Sequence, residues 1–463
     1  MTKLYYQLPG TWFGDCMPFG HGDQFYLYHQ RDTRKPCPFG EPFGWDLSTT
    51  SDFVHYEDRG VAIPRGSDEE QDQFIFAGSV FEAEGMYHIF YTGYNRDYPK
   101  AGKPSQVLMH AVSQDLVTWT KTNEALTFTP REGYDPDDWR DPFVIRDQER
   151  EEYLLILGAR KMGPKTRQSG RTVYFTSKNL KDWEFHGDFW APDLYTMHEM
   201  PDLFRIGDWW YHIISEYSDK NKIVYRMAKS IHGPWIAPVD DAFDGRAYYA
   251  GRTFCLNGQR ILFGWVPTKE NCDDRGNFEW AGTFMAHEIY QREDGTLGVK
   301  VPEPVWNVFN TAEPVADCIM DSPSRRSTYT AAEHTGDLFR FEADVEFGQG
   351  TRSFGIRLYE NEDTEEGYQY IFHVGENRYE FEKNPNWQWP AHMNMGLLRP
   401  IKLEAGRTYH IRMIVDDTIA TLYVDGVALN ARFYTKPGEA LKLFVTDGTL
   451  KATNISWAKG MKE

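Results

Sequence analysis

Short segments in which apolar and polar positions alternate recur along the first part of the chain. Such alternation places every second side chain on one face, which is the pattern of a half-buried β-strand. The segments are rich in aromatic and aliphatic residues, and a Gly or Asp turn often precedes them. Five stand out: residues 24–29 (QFYLYH), 86–92 (MYHIFYT), 152–157 (EYLLIL), 209–215 (WWYHIIS) and 260–265 (RILFGW).

A second signature follows most of these segments. It consists of a Ser, an Asp or Asn and an aromatic residue at a fixed offset. It occurs at residues 51–56 (SDFVHY), 113–119 (SQDLVTW) and 177–183 (SKNLKDW), with a weaker copy at 230–235. Ser and Asx side chains bond to nearby backbone groups and thereby form turns. One such turn per repeat, in five repeats of about 60 residues, predicts a five-bladed β-propeller.

The repeat stops near Pro302, and from about residue 325 the alternating strands become longer. Examples are residues 338–347 and 409–415, and residues 415–426 resemble a hairpin of a β-sandwich. Long helical periodicity does not appear in the sequence. We therefore expect an all-β protein with a five-bladed β-propeller at residues 1–305, a linker at 306–324 and a C-terminal β-sandwich at 325–463.

The charge of the chain narrows the classes of ligand. With 50 Lys and Arg against 69 Asp and Glu, the formal net charge is −19. This charge argues against nucleic acid or an anionic membrane as a partner, and a neutral small molecule fits better. The aromatic content of 16% suits a sugar-binding surface, and it suits equally well the preference of β-strands for aromatic side chains. Nothing in the sequence indicates the oligomeric state.

Cysteine spacing and hydropathy exclude further classes. The five cysteines are widely spaced and form no CxxC pair or Cys/His cluster, so we expect neither a disulfide framework nor a structural zinc site. No uncharged apolar run approaches the roughly 20 residues of a membrane span. The first ten residues (MTKLYYQLPG) lack the apolar core and cleavage site of a secretory signal. We expect a cytoplasmic protein, unless a leader was removed.

Three acidic residues, Asp15, Asp141 and Glu199, occupy matching positions before successive repeats. An Asp-Pro or Glu-x-Pro motif among aromatic residues places a carboxylate in apolar surroundings, where its pKa can rise or it can hold a developing cation. Glycoside hydrolysis needs two such carboxylates, which a retaining enzyme keeps about 5 to 5.5 Å apart. Each residue alone also fits an ordinary role in a turn, a salt bridge or a solvated loop. At equivalent positions, the three together predict a catalytic site.

Many segments, in order and spacing, resemble glycoside hydrolase family 32, the invertases, inulinases and levanases. Trp12 to Asp15 resembles the family's Trp-Met-Asn-Asp box, and Arg140 to Pro142 matches its Arg-Asp-Pro motif. Glu199, followed by Pro201, is similar to its Glu-Cys-Pro motif. Further similar segments are residues 25–30, 45–56, 61–64, 76–79, 264–265, 280–282, 432–434 and 445–448. The resemblance covers the whole chain and implies a five-bladed propeller followed by a β-sandwich.

The resemblance also implies roles for individual residues. Asp15 would be the nucleophile that forms a fructosyl-enzyme intermediate, Glu199 the acid/base, and Asp141 the stabiliser of the oxocarbenium-like transition state. No metal or organic cofactor is implied. The residues expected to bind the substrate are Trp12, Gln30, Phe76, Arg140 and Trp265.

Departures from the family lie close to these residues. Gly14 stands where the family has Asn, and Cys16 stands where it has Pro. Ala77 replaces a residue that usually carries a hydroxyl, and Met200 replaces Cys. The loop at residues 32–44 lacks an aligned Trp that walls the pocket in the family. Since these changes surround the terminal sugar, the reaction type is better indicated than the sugar.

The favoured function is hydrolysis of terminal β-D-fructofuranosyl units from sucrose or short fructo-oligosaccharides with retention of configuration. Two enzymatic alternatives stay open: hydrolysis of another furanoside, such as an arabinofuranoside, and fructosyl transfer. An alternative of another class is a non-catalytic sugar-binding propeller. Because all three carboxylates are present, the sequence favours an enzyme.

Overall fold

The computed structural model describes residues 3–122, 128–385 and 395–462. These ranges consist mainly of β-strands and their connections, which confirms the expected all-β class. Their one α-helix is α1 (Glu303–Asn307), and short 3₁₀ turns occupy Tyr98–Ala101, Glu270–Cys272 and Val374–Glu376. Within the described ranges, no helix is long and apolar enough to span a membrane.

The first nineteen strands form four antiparallel sheets. In chain order they are β1 (Trp12–His21), β2 (Gln24–Asp32), β3 (Trp45–Thr50), β4 (Glu57–Ile63), β5 (Phe74–Ala83), β6 (Met86–Tyr94), β7 (Gln106–Ser113), β8 (Thr120–Lys121), β9 (Tyr134–Asp147), β10 (Glu152–Lys161), β11 (Gly170–Ser177), β12 (Glu184–Trp190), β13 (Glu199–Ile206), β14 (Trp209–Glu216), β15 (Lys222–Ala228), β16 (Tyr249–Leu256), β17 (Gln259–Lys269), β18 (Phe278–Gln291) and β19 (Leu297–Lys300). Strands β5–β8, β9–β12 and β13–β15 form sheets of four, four and three strands. Strands β16–β18 continue through β1 into β2–β4, and β19 pairs with β18, which completes a sheet of eight.

Five strands, here termed the inner strands, contact one another in a ring. Strand β1 contacts β5, β5 contacts β9, β9 contacts β13, β13 contacts β16, and β16 contacts β1 again. The large sheet closes where Phe13 of β1 pairs with Gly282 of β18. The first strand of this part of the chain and its eighteenth therefore become neighbours.

The recurring turn signature has the same structure at several places. The Asp115 carboxylate accepts hydrogen bonds from the backbone N–H groups two and three residues later, at 2.9 and 2.7 Å. These bonds lower the pKa of Asp115 to about 2. The Ser113 hydroxyl accepts from the N–H of Leu116, which is buried in the left-handed region at φ 64°. Equivalent bonds form at residues 50–55 and 177–182, so the signature identifies a true structural repeat.

The remaining strands form one C-terminal sheet of eleven strands. They are β20 (Glu313–Pro314), β21 (Cys318–Ala332), β22 (Leu338–Phe347), β23 (Ser353–Glu360), β24 (Gly367–His373), β25 (Arg378–Asn384), β26 (Leu398–Pro400), β27 (Thr408–Asp416), β28 (Ile419–Val424), β29 (Val427–Arg432) and β30 (Ala440–Lys459). The first half of the long strand β30 pairs with β23 and its second half with β22. The sheet is therefore sandwich-like, as the sequence predicted. Residues 306–324 include β20 and the beginning of β21.

Buried polar contacts join the two parts of the protein. The Asp244 carboxylate accepts hydrogen bonds from the backbone and side-chain N–H groups of Asn430, at 2.8 and 2.7 Å, and lies 3.1 Å from Nε2 of His287. Near the chain start, the Asp416 carboxylate accepts from the backbone N–H groups of residues 3–5. Because buried polar groups are costly without partners, these contacts fix the sandwich-like sheet against the strands that carry the site.

Candidate active site

A β-bulge interrupts each of the five inner strands. In β9, Asp141 and Pro142 lie opposite a single residue of β10. Register shifts of this kind also occur at residues 14–15 of β1, residue 77 of β5, residues 200–201 of β13 and residues 250–251 of β16. A bulge redirects side chains from the regular alternation of a strand. The predicted catalytic residues Asp15 and Asp141 lie in these bulges, and Glu199 lies directly before one.

The structure brings most of the predicted site residues to one cavity of about 430 Å³. Its lining includes Asp15, Gln30, Phe76, Arg140, Asp141 and Glu199, together with Phe39, Tyr94, Gln106, Asp137, Asp138 and Trp280. An adjoining cavity of about 300 Å³ shares Glu199 and Trp280 and is also lined by Trp265, Tyr217, Tyr249 and Arg246. Trp12 belongs to neither lining. Its ring lies 4.5 Å from the guanidinium carbon of Arg34.

Two side chains hold the Asp15 carboxylate. The indole N–H of Trp265 donates to Oδ1 at 3.1 Å. With its nitrogen facing Asp15, the Gln30 amide donates to Oδ2 at 3.3 Å, and its oxygen accepts from the Ala77 backbone N–H at 3.0 Å. Burial, and then the negative charges of Asp141 and Glu199, raise the pKa of Asp15 to about 8.

The Asp141 carboxylate is buried beside Asp15, with 3% of the residue exposed. Its Oδ2 accepts a hydrogen bond from the Met200 backbone N–H at 3.0 Å, and its own N–H donates to the Thr92 hydroxyl at 2.9 Å. The backbone at Asp141 is left-handed, at φ 64°, a conformation that tertiary contacts must maintain in a residue with a side chain. Burial raises the pKa of Asp141, and the adjacent Arg140 guanidinium opposes the rise.

Both oxygens of the Glu199 carboxylate accept hydrogen bonds. Arg140 Nη2 donates to Oε1 at 2.7 Å, and the Tyr249 hydroxyl donates to Oε2 at 2.7 Å. A second nitrogen of the Arg140 guanidinium donates to Asp138 at 2.9 Å. Charge-assisted bonds of this length orient a carboxylate firmly.

The cluster thus combines three close carboxylates with the Arg140 guanidinium. Burial and the neighbouring charges hold the pKa of Asp15 at about 8, well above that of a separate carboxyl group. A site with one nucleophilic carboxylate and one proton-donating carboxyl group can cleave a glycosidic bond. Among the described residues, no group of three or more His, Cys, Asp or Glu side chains is arranged to hold a metal ion.

The departure at Gly14 has a steric explanation. A Cβ at this position would lie 2.8 Å from Cη2 of Trp280 and 2.9 Å from Cβ of Gln30. Both distances are below normal contact, so Trp280 occupies the space that a side chain at residue 14 would need. Ala77 and Met200 contribute backbone N–H groups to the site, which any residue other than Pro can supply.

The loop at residues 32–44 supplies an aromatic wall although it lacks the family's Trp. The Phe39 ring lies 5.4 Å from Phe76 and 5.7 Å from Trp280, edge to face in both cases. The Tyr94 ring stacks on Phe76 at 4.4 Å. The cavity is therefore lined by a cluster of aromatic rings as well as by the carboxylates.

Sequence reasoning missed several residues of the site. The sequence did not identify Tyr249, Tyr94 and Phe39, and it indicated Trp280 only as part of the family-like segment 280–282. A Tyr at the start of an inner strand was the available signal for Tyr249, since Glu199 is likewise the first residue of its strand. Aromatic residues are so frequent in this chain that the signal could not be distinguished from ordinary core positions.

The sequence matches the Glycosyl hydrolases family 32 N-terminal domain over residues 10–294 and the Glycosyl hydrolases family 32 C terminal over residues 317–459. It is 24% identical to sucrose-6-phosphate hydrolase of Escherichia coli over 481 residues, covering 95% of this chain and 91% of the relative. It is also 24% identical to the levanbiose-producing levanase of Bacillus subtilis over 513 residues, with coverages of 98% and 90%.

Solved structures share the fold at lower identity. Fructan 1-exohydrolase IIa from Cichorium intybus superimposes with a TM-score of 0.81 at 16% identity, covering 100% of this chain and 97% of that one. Sucrose-6-phosphate hydrolase from Lactobacillus gasseri gives a TM-score of 0.75 at 18% identity, with coverages of 100% and 93%. Both family domains and this shared architecture accompany the carboxylate cluster described above. The chain belongs to glycosyl hydrolase family 32 and is a glycoside hydrolase.

Proposed function

We propose that the protein releases terminal β-D-fructofuranosyl units from sucrose or short fructo-oligosaccharides with retention of configuration. The observation that carries the proposal is the cavity in which Asp15, Asp141 and Glu199 converge around Arg140. The names of relatives support the sugar: they include sucrose-6-phosphate hydrolases, levanases and a raffinose invertase. Structural neighbours were solved with 1-kestose and with sucrose.

In the proposed first step, Asp15 attacks the anomeric carbon of the fructosyl unit while Glu199 gives its proton to the leaving oxygen. The glycosidic bond breaks and an ester between Asp15 and the sugar forms. In the second step, Glu199 takes a proton from a water molecule, and this water attacks the anomeric carbon. The bond between the anomeric carbon and the Asp15 oxygen breaks, fructose leaves, Asp15 returns as a carboxylate and Glu199 as a protonated carboxyl group.

The contacts of Glu199 fit the acid/base role. When Glu199 donates its proton it becomes an anion, and the Arg140 and Tyr249 donors at 2.7 Å then stabilise the charge that develops. The Trp265 N–H favours the ionised form of Asp15, which is the attacking form. Asp141 is proposed to bind sugar hydroxyl groups and to stabilise positive charge at the anomeric carbon.

We also propose that the first nineteen strands form a five-bladed propeller. The ring of contacts among β1, β5, β9, β13 and β16 supports five blades rather than four. On this interpretation the eight-stranded sheet comprises two blades joined edge to edge, one of β1–β4 and one of β16–β19. The proposed division is a propeller at residues 1–305, a linker at 306–324 and a sandwich at 325–463, and the two family matches support a division in this region.

The test measures monosaccharide release from sucrose, 1-kestose, short levan oligomers and aryl arabinofuranosides. Asp15→Asn removes the proposed nucleophile. Asp23→Asn, at the exposed turn after β1, makes the same chemical change outside the cavity and serves as the matched control. We expect fructose release by the wild type and the control and none by Asp15→Asn.

The stereochemistry is tested separately with methanol as acceptor. A retaining mechanism gives methyl β-fructofuranoside as the initial product, and NMR of early time points identifies the anomer. Release of arabinose alone would change the assigned sugar. Absence of release from every substrate, or an inverted product, would overturn the proposal.

A further inference from the structure

Arg252 is a buried residue of β16 that none of the roles proposed above uses. Only 1% of it is exposed. Its Nη2 donates to the backbone carbonyls of Asp141 and Pro142, at 3.1 and 3.3 Å, and its Nη1 donates to the carbonyl of Pro201. One guanidinium therefore joins the bulge of β9 to the bulge of β13.

These two bulges have no shared ladder of backbone hydrogen bonds, because β9 and β13 belong to different sheets. Asp141 and Met200, one in each bulge, are both left-handed, at φ 64° and 50°. Such conformations persist only where surrounding contacts enforce them. Two sets of hydrogen bonds connect the bulges. One is the bond from the Met200 N–H to the Asp141 carboxylate, and the other is the set donated by Arg252, which can set the distance between the bulges.

We propose that Arg252 is a positioning residue that holds the bulge of Asp141 and the bulge next to Glu199 in their reactive arrangement. The inference rests on the proposed function, since it assigns Arg252 to the same reaction. Arg252 touches neither the sugar nor the reacting atoms; it acts through the backbone of the residues that do.

The partners of Arg252 argue for a geometric role. In the described part of the chain, no carboxylate lies within ion-pair distance of its guanidinium, and Nε has no hydrogen-bond partner. A buried guanidinium that donates only to carbonyl groups lowers the stability of the fold, because its charge is desolvated without a paired anion. Burial lowers the pKa of Arg252, in keeping with this cost. This cost is consistent with a role in catalysis, in which Arg252 holds the two bulges at a fixed distance.

A second cavity, of about 660 Å³, reaches Arg252 and offers a matched control residue. Arg252 lines it together with Arg260, Phe143 and Asp202. Arg260 is a matched control because it faces the same cavity but bonds to Thr253 at 2.8 Å and lies over the Phe204 ring. It contacts neither catalytic bulge.

The experiment compares Arg252→Ala, Arg252→Lys and Arg260→Ala with the wild type, all below their unfolding temperatures. Misplacement of reacting groups by about 1 Å costs roughly 100-fold in rate. We expect kcat of Arg252→Ala to fall by about this factor with KM changed less than severalfold, and Arg252→Lys to be intermediate. Free guanidinium at millimolar concentration should enter the vacated space and restore kcat of Arg252→Ala by about tenfold, but should not affect Arg260→Ala or Asp15→Asn.

A pH profile gives an independent readout. The positive charge of Arg252 favours the ionised forms of Asp15 and Asp141. Its loss raises their pKa values, so the acid limb of kcat/KM should move to higher pH in Arg252→Ala, whereas Arg252→Lys retains the charge. A shifted limb reports the lost charge, whereas rescue of kcat by guanidinium reports the lost position; a merely structural role would lower the unfolding temperature and give no rescue.

The outcomes separate two failures. If the wild type releases no sugar, the proposed function fails. If the wild type is active but Arg252→Ala is as active as Arg260→Ala, the positioning role is overturned while the hydrolase stands. Loss of activity in Arg252→Ala without guanidinium rescue and without a shifted pH limb would also overturn it, because general destabilisation would then explain the loss.

Discussion

Replacing Trp265 by Phe removes the indole N–H that donates to Asp15 at 3.1 Å. An aromatic ring would still fill the space beside Tyr249 and Trp280. A hydrogen bond to a charged group contributes about 1.5–3 kcal/mol, and about 1.4 kcal/mol corresponds to one pKa unit. Because this bond favours ionised Asp15, its loss should raise the pKa of Asp15 by roughly 1 to 2 units beyond its present elevated value.

The proposed nucleophile reacts only when ionised, so the acid limb of kcat/KM should move to higher pH by the same amount. Initial rates of fructose release from sucrose, measured from acid to alkaline pH, give this limb directly. Below the limb the variant should be about 10- to 100-fold slower than the wild type, and the difference should shrink on the alkaline side.

Trp280→Phe is the matched control for this experiment. Trp280 lines the adjoining cavity together with Trp265, but in the described contacts the indole hydrogen bond to Asp15 comes from Trp265. The control should retain the wild-type acid limb even if its KM changes. A Trp265→Phe limb that stays in place, or moves to lower pH, would refute the reasoning that the indole N–H tunes Asp15.

Three further predictions concern residues in or beside the candidate active site. Tyr249→Phe removes the donor to Glu199 Oε2 and should lower kcat about tenfold with little change in KM; steady-state kinetics test this, and an unchanged kcat would contradict it. Glu199→Gln should lower fructose release from sucrose about 10²- to 10⁴-fold, yet with an activated aryl fructofuranoside and azide it should form fructosyl azide, which mass spectrometry detects; absence of this product would argue against an acid/base role. Gly14→Asn should lower the free energy of unfolding by about 1–3 kcal/mol, because its Cβ would meet the ring of Trp280. Denaturant unfolding should show partial recovery when Trp280→Ala is added, and a stable Gly14→Asn single variant would contradict the steric argument.

The strand repeat and the three carboxylates could be predicted because they depend on short-range pattern. The turn at Ser113 and Asp115 is made by side chains that bond within three residues of themselves, so its structure is local and its sequence recurs. Asp141 and Glu199 were recognisable because each precedes a strand and is followed within two residues by a Pro.

The other site residues depend on long-range packing. Trp280 contacts Gly14 across the closure of the chain, so neither residue's neighbours in sequence reveal the contact. Phe39 reaches the cavity from a loop whose path no periodic pattern determines. Trp12 stays a prediction: its motif indicates the sugar pocket, and in the structure the Arg34 guanidinium lies over its ring.

The closure of β1 on β18 also determines when the protein can become active during its synthesis. The strand that carries Asp15 leaves the ribosome before the other inner strands, and its partner β18 leaves after all of them. Until then the nascent chain has an open strand edge on β1, which other chains could pair with. Premature termination before β18 would therefore yield a product that contains Asp15, Asp141 and Glu199 but lacks the strand that completes their arrangement. In a translating system, catalytic activity should therefore appear only after β18 has been synthesised.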